Sequence, residues 1–143
     1  YGADHVINYT EERLKDKVNQ ITNNLGADVI FDPVGGDMTD EAVRCINWRG
    51  RLLIVGFAAG RIAKIPANLP LLKGSEVIGV AYHRFFMMEP EVGKKNMLGL
   101  VKMYSQGNFR PHHWINCELD DTQEAMRAMA DRRSTGKIII NMR

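Results

Sequence analysis

Apolar positions along the chain fall into two kinds of pattern. In "DVIFD" (Asp28–Asp32), "RLLIVGF" (Arg51–Phe57) and "SEVIGVAY" (Ser75–Tyr82) they run nearly without interruption. Short continuous runs of this kind predict strands covered on both faces of a sheet. "HVINY" (His5–Tyr9) predicts one more strand at the start of the chain. Between these runs the spacing changes. Leu14, Val18, Ile21 and Leu25 recur at intervals of four, three and four, which places them on one face of an α-helix. Thr10 offers that helix an N-cap, Glu11 and Glu12 favour its dipole, and Gly26 ends it. Met38, Ala42, Cys45 and Ile46 predict a second helix, capped by Asp37 or Thr39 and ending near Gly50. The Pro- and Gly-punctuated "AAGRIAKIPANLP" (Ala58–Pro70) reads as a loop.

Strand, helix, strand, helix, strand predicts an α/β fold built on a parallel sheet of right-handed βαβ units. Past Tyr82 the character changes. Met97, Leu98, Val101 and Tyr104 mark a longer helix closed by Gly107, and "HHWINCEL" (His112–Leu119) a strand. Asp121-x-x-Glu124 resembles a capping box for a helix carrying Ala125, Met126 and Met129. "GKIIINM" (Gly136–Met142) predicts a last strand. A boundary within Phe85–Pro90 divides the chain into units 1–85 and 86–143.

Composition narrows the function classes. The chain has 143 residues, 45% hydrophobic and 25% charged, enough apolar material for a real core. Its net charge of +2 is too mild to imply a nucleic acid or an anionic membrane as partner. No apolar run approaches the ~20 residues of a membrane span. Cys45 and Cys117 are far apart in dissimilar segments, which leaves no disulfide framework or four-thiolate zinc site and predicts reduced thiols in a cytoplasmic protein. The opening "YGADHV" reads as the middle of a fold, so the chain is expected to be a piece of a longer protein.

Two strand ends lack side-chain bulk: Asp32-Pro33-Val34-Gly35-Gly36 and Gly56-Phe57-Ala58-Ala59-Gly60. In parallel α/β sheets, ligands bind beyond the carboxyl ends of the strands, and helix N-termini there supply unpaired N–H donors. Two adjacent tips of this kind would leave a slot for a dinucleotide; ordinary tight turns are the alternative for either one alone. Asp32 reads as a turn cap rather than a ligand contact. His112 and His113 would point to opposite faces of a strand, which argues against a shared metal ion. His5 and His83 are isolated. Met87, Met88, Met97 and Met103 read as packing filler or a flexible apolar wall. No motif for covalent nucleophilic catalysis is present, and no catalytic residue can be assigned.

Taken together, "GADHVINY", "GADVIFDPVGG", "GRLLIVGFAAG", "EVIGV" and "RRSTGKIII" resemble successive segments of the medium-chain dehydrogenase/reductase superfamily, in its zinc-independent quinone oxidoreductase (ζ-crystallin-like) branch. The resemblance runs through the whole chain. It implies the carboxyl-terminal part of a Rossmann-type, doubly wound NAD(P)-binding domain, followed by the carboxyl-terminal segment of the Rossmann and substrate-binding parts. The implied activity is zinc-independent hydride transfer from NADPH, with NADH as a possible substitute, to a quinone or other conjugated carbonyl. The implied cofactor contacts are Tyr9 beside the adenosine ribose and its 2′-phosphate, and Val34 and Gly35 near the nicotinamide ribose. Gly56, Phe57 and Ala58 would line the nicotinamide side, with Val80 through Arg84 where the pocket closes. Arg132 would approach the phosphate, or else stand as a solvated surface charge. The phosphate-binding glycine turn of the family is absent from this sequence. The chain alone is therefore expected to be inactive and to bind NADPH feebly.

In the family's strand order 3-2-1-4-5-6, "HVINY" would lose two neighbours. Either it pairs with "DVIFD" directly or its edges are unmet, and the expectation is a sheet rearranged or completed by another chain. The resemblance also implies a homodimer through Ser75–Tyr82, a strand without Pro or Lys to guard its edge. A dimerisation module or a structural, crystallin-type protein without turnover is the alternative to an enzyme.

Overall fold

The first helix ends at Ile21, with Thr22 as its C-cap, short of the Gly26 that the sequence suggests; Gly26, with φ at +88°, instead leads directly into the strand that starts at Ala27. The computed structural model describes residues 2–142, in two units that meet in sequence between Arg84 and Phe85. The first unit contains helix α1 (Leu14–Ile21), strand β1 (Ala27–Asp32), helix α2 (Gly36–Ala42), strand β2 (Ile46–Ile54), helix α3 (Asn68–Lys73) and strand β3 (Glu76–Gly79). The three strands are parallel, in the order β1-β2-β3.

"HVINY" forms no strand. Asn8 turns the chain instead: its side chain accepts from the Thr10 backbone N–H at 3.2 Å and from the Thr10 hydroxyl at 2.7 Å. Its carbonyl also accepts from the Glu11 and Glu12 amides. Thr10 is thus spent in a turn and cannot cap α1, which begins four residues later with Arg13 in the N-cap position. The sheet is not rearranged, and β1 is left as an open edge among the described residues.

The second helix and the strand after it also divide differently from the sequence reading. α2 ends at Ala42, not near Gly50, because Ile46 is already paired with Ala27 and is 1% exposed. The pairing then jumps from Ala27–Ile46 to Val29–Arg51, so the intervening residues bulge out of the ladder. Arg49, with φ at +57°, takes the left-handed turn of that bulge. Lys73 closes the region from α3, donating to the Ile46 carbonyl at 2.5 Å and to the Arg44 carbonyl at 3.2 Å.

The core lies on one face of the sheet. Leu52 and Ile54 of β2 share that face with Ile30, and Ala42, Val43, Leu14, Ile65 and Leu69 pack around them. The apolar run of β1 predicts cover on both faces. The opposite face, however, carries Val29 and Phe31 at 47% and 65% exposure.

The second unit contains α5 (Pro90–Ser105), strand β4 (His113–Glu118), a 3₁₀ turn (Leu119–Asp121), α6 (Thr122–Ala130) and β5 (Lys137–Asn141); helix α4 (Tyr82–Met88) spans the division. β4 and β5 are parallel and joined through α6, whose Ala125 and Ala128 are buried. Asp121 occupies the N-cap of α6 but makes no side-chain cap bond, so the capping box is not formed. Gly93 lets α5 approach Phe86: a Cβ there would lie 2.7 Å from the ring. "SEVIGVAY" is strand only over Glu76–Gly79, and Tyr82 instead opens α4.

Candidate functional site

Because β1 and β2 are parallel, with Asp32 opposite Ile54, their carboxyl ends lie side by side. The first tip is organised by the Asp32 carboxylate, which is 5% exposed. One of its oxygens accepts from the backbone N–H groups of Val34 and Gly35, each at 2.9 Å, and the other from the Thr39 hydroxyl. Burial pushes this carboxyl up, but the bonds from Thr39, Gly35 and Val34 outweigh it and hold the group below its ordinary value. Asp32 is therefore the turn cap that the sequence suggests. Neither Asp37 nor Thr39 caps α2; Gly35 takes the N-cap position with φ at +76°. The Val34 and Gly35 donors, which the tip would otherwise offer to a ligand, are taken by Asp32.

The second tip folds back over the first. The Ala58 N–H donates to the Pro33 carbonyl at 3.1 Å and the Ala59 N–H to the Val34 carbonyl at 2.8 Å. A Cβ on Gly35 would lie 3.0 Å from the Phe57 ring and 3.2 Å from the Arg61 carbonyl, and one on Gly56 would lie 3.1 Å from the Pro33 carbonyl. The missing bulk at both tips thus has an explanation inside the chain: each loop must pass close to the other's backbone. What remains outward is a small apolar surface, with Val34 at 37% and Phe57 at 45% exposure.

The five tip residues predicted to meet a cofactor, Val34, Gly35, Gly56, Phe57 and Ala58, are brought together at this one place. Tyr9 lines a separate cavity of about 220 Å³ with Glu12, Arg13, Leu14, Glu41 and the first residues of α2, Asp37 and Met38. Val80 extends the ladder by donating to the Ile54 carbonyl at 2.8 Å, whereas Tyr82–Arg84 are helical. Arg132 belongs to the second unit, exposed in the turn after α6 with φ at +57°.

Sequence reasoning passes over Arg61, which donates to Asp37 at 2.5 Å and to Asp40 at 2.7 Å. Bonds to Asp40 and then Asp37 hold its guanidinium above its ordinary value. Asp37 and Asp40 stand one helical turn apart, but nothing in the sequence pairs them with an arginine more than twenty residues further on.

The sequence profile of a family described as zinc-binding dehydrogenase matches residues 1–140. The chain is 36% identical over 141 residues to a quinone oxidoreductase-like protein 2 homolog of Nematostella vectensis, covering 98% of this chain and 39% of that protein. It is 33% identical over 142 residues to quinone oxidoreductase-like protein 2 of Bos taurus, covering 99% and 41%. The structure of Escherichia coli quinone oxidoreductase complexed with NADPH superposes with a TM-score of 0.83 at 22% identity, covering 99% of this chain and 44% of that one. The fold is Rossmann-like α/β. The chain belongs to the zinc-binding dehydrogenase family, and the two relatives just described are quinone oxidoreductase-like proteins. It spans about two fifths of the length of those relatives.

The family's name raises the question of zinc. Among the described residues no three His, Cys, Asp or Glu side chains gather closely enough to hold a metal ion, so the donor set does not fit one. No helix among them is long and apolar enough to cross a membrane.

Proposed function

We propose that this chain is the nicotinamide-facing part of an NADPH-dependent oxidoreductase that passes hydride to a quinone or another conjugated carbonyl without zinc. The observation that carries the reading is the meeting of two backbone-lined tips at one end of a parallel sheet. When bound, the nicotinamide would supply the hydride, which carries the electron pair; the protein supplies position and an apolar surround. Val34 and Phe57 offer the exposed apolar surface, and a ring lying on them displaces water from the reacting face. Asp32 keeps the first tip in one conformation, so the surface is formed in advance. Tyr9 stands at the adenosine end, its cavity adjoining the start of α2. The two free, buried thiols are consistent with a cytoplasmic setting.

The described residues offer no glycine-rich phosphate turn, so the chain by itself is inactive and binds weakly. Titration with NADPH, followed by nicotinamide fluorescence, is expected to give a dissociation constant far above micromolar. Submicromolar affinity would contradict this.

A second reading, association of two copies through Ser75–Tyr82, is favoured by one observation. β3 is an edge of the sheet, with Val77 42% exposed. A doubled mass in light scattering, with no nucleotide response in the same sample, would select this interaction role over the enzymatic one.

A further inference from the structure

Gly35 and Gly36 have a neighbour that neither strand pattern nor cofactor logic anticipates. The turn Phe57–Arg61 crosses directly above them: a Cβ on Gly35 would meet the Phe57 ring at 3.0 Å, and one on Gly36 would meet Ala59 at 3.5 Å and the Arg61 carbonyl at 3.6 Å. Near its start this turn is tied down by backbone bonds from Ala58 and Ala59 to Pro33 and Val34. At its far end the Arg61 side chain ties it to Asp37 and Asp40 on α2, the helix that begins at Gly36. The second carboxylate oxygen of Asp40 is buried and makes no hydrogen bond, so its one engaged oxygen is committed to Arg61.

We propose that Arg61 is a positioning residue: through Asp37 and Asp40 it straps the Phe57–Arg61 turn across Gly35 and Gly36, and so holds the Phe57 surface in place before a nucleotide arrives. The proposal rests on the nucleotide reading given above. Its physical content is preorganisation. A turn fastened only at its near end spends part of its time lifted, and apparent affinity falls by the fraction that is competent. Both bonds come from a single guanidinium nitrogen, Nη2, whose two N–H groups reach one carboxylate each and whose planar group keeps its charge at any working pH. Both carboxylates sit one turn apart on a helix, so they present a fixed target.

The test uses the full-length protein with Arg61→Met, Arg61→Lys and the Asp37→Asn/Asp40→Asn pair. Two readouts are taken: amide hydrogen exchange at Ala58 and Ala59, and NADPH affinity by nicotinamide fluorescence. In Arg61→Met, exchange at Ala58 and Ala59 is expected to quicken and NADPH affinity to weaken, each by about two- to fivefold, the scale of largely exposed ion pairs. Exchange in β2 and the KM for the acceptor should not move. The double Asn variant should match Arg61→Met, and Arg61→Lys should recover part of both effects. Unchanged exchange at Ala58 and Ala59 would overturn the strap. Faster exchange with unchanged NADPH affinity would overturn its bearing on the nucleotide. If the parent protein shows no nucleotide response, the functional reading fails, and exchange alone decides whether Arg61 fastens the turn.

Discussion

Replacing Gly26 with Ala is expected to destabilise the first unit by about 4 kcal/mol. Two costs combine. The residue has φ at +88°, a conformation that costs an L side chain on the order of 1–2 kcal/mol. Its new Cβ would also stand 2.6 Å from the Cys45 carbonyl oxygen, 2.8 Å from the Ile46 carbonyl carbon and 2.9 Å from the Asn47 nitrogen. These are backbone atoms, so no side chain can swing aside, and overpacking of this kind costs about 1–3 kcal/mol more. The Cys45 carbonyl also accepts from Ala27, the bond that starts the β1–β2 register, so any shift is passed into the sheet. Thermal unfolding followed by circular dichroism should show a midpoint lower by roughly 20 °C for a unit of this size. A loss under about 1 kcal/mol would mean that the close approach at Gly26 is misplaced.

Asp32→Ala is the second large effect, at about 3 kcal/mol. The substitution leaves the N–H groups of Val34 and Gly35 and the hydroxyl of Thr39 without their acceptor. Thr39 is 1% exposed, so water does not readily replace the carboxylate there. The same carboxylate predicts a pH dependence. Its folded pKa lies below the ordinary 3.8, so its stabilising contribution is complete above that value and is lost as pH falls through the lower, folded value. Denaturant midpoints measured from pH 6 to pH 2 should therefore fall on the acid side in the parent and fall less in Asp32→Asn. Parallel acid limbs in the two proteins would remove Asp32 from this role.

Much of the fold could be read from the chain because its strands are continuous apolar runs and its helices keep a regular face. β1, α1 and the α6–β5 pair follow those patterns. The readings that failed did so for local reasons. "HVINY" has strand-like residues but joins no ladder among the described residues, and Asn8 holds Thr10 in a turn. The start of β2 was hidden because its first pair is separated from the rest by a bulge, which periodicity does not register. At the site, the poverty of side chains at Gly35 and Gly56 was legible, but its cause was not. Sequence suggested space for a ligand; the structure shows each tip packed against the other's backbone. Arg61 escaped notice because its partners, Asp37 and Asp40, are more than twenty residues away, and only the fold brings a loop and a helix start together.

The measurement that bears most directly on the proposed nucleotide surface is amide-shift mapping of the chain by nuclear magnetic resonance with millimolar NADPH, where weak binding is still visible. The account predicts that the shifted amides cluster at Gly35, Gly56, Phe57 and Ala58, with smaller changes at Tyr9, and that the edge strand β3 is silent. Shifts scattered over the surface, or confined to β3 with the tips unmoved, would contradict it.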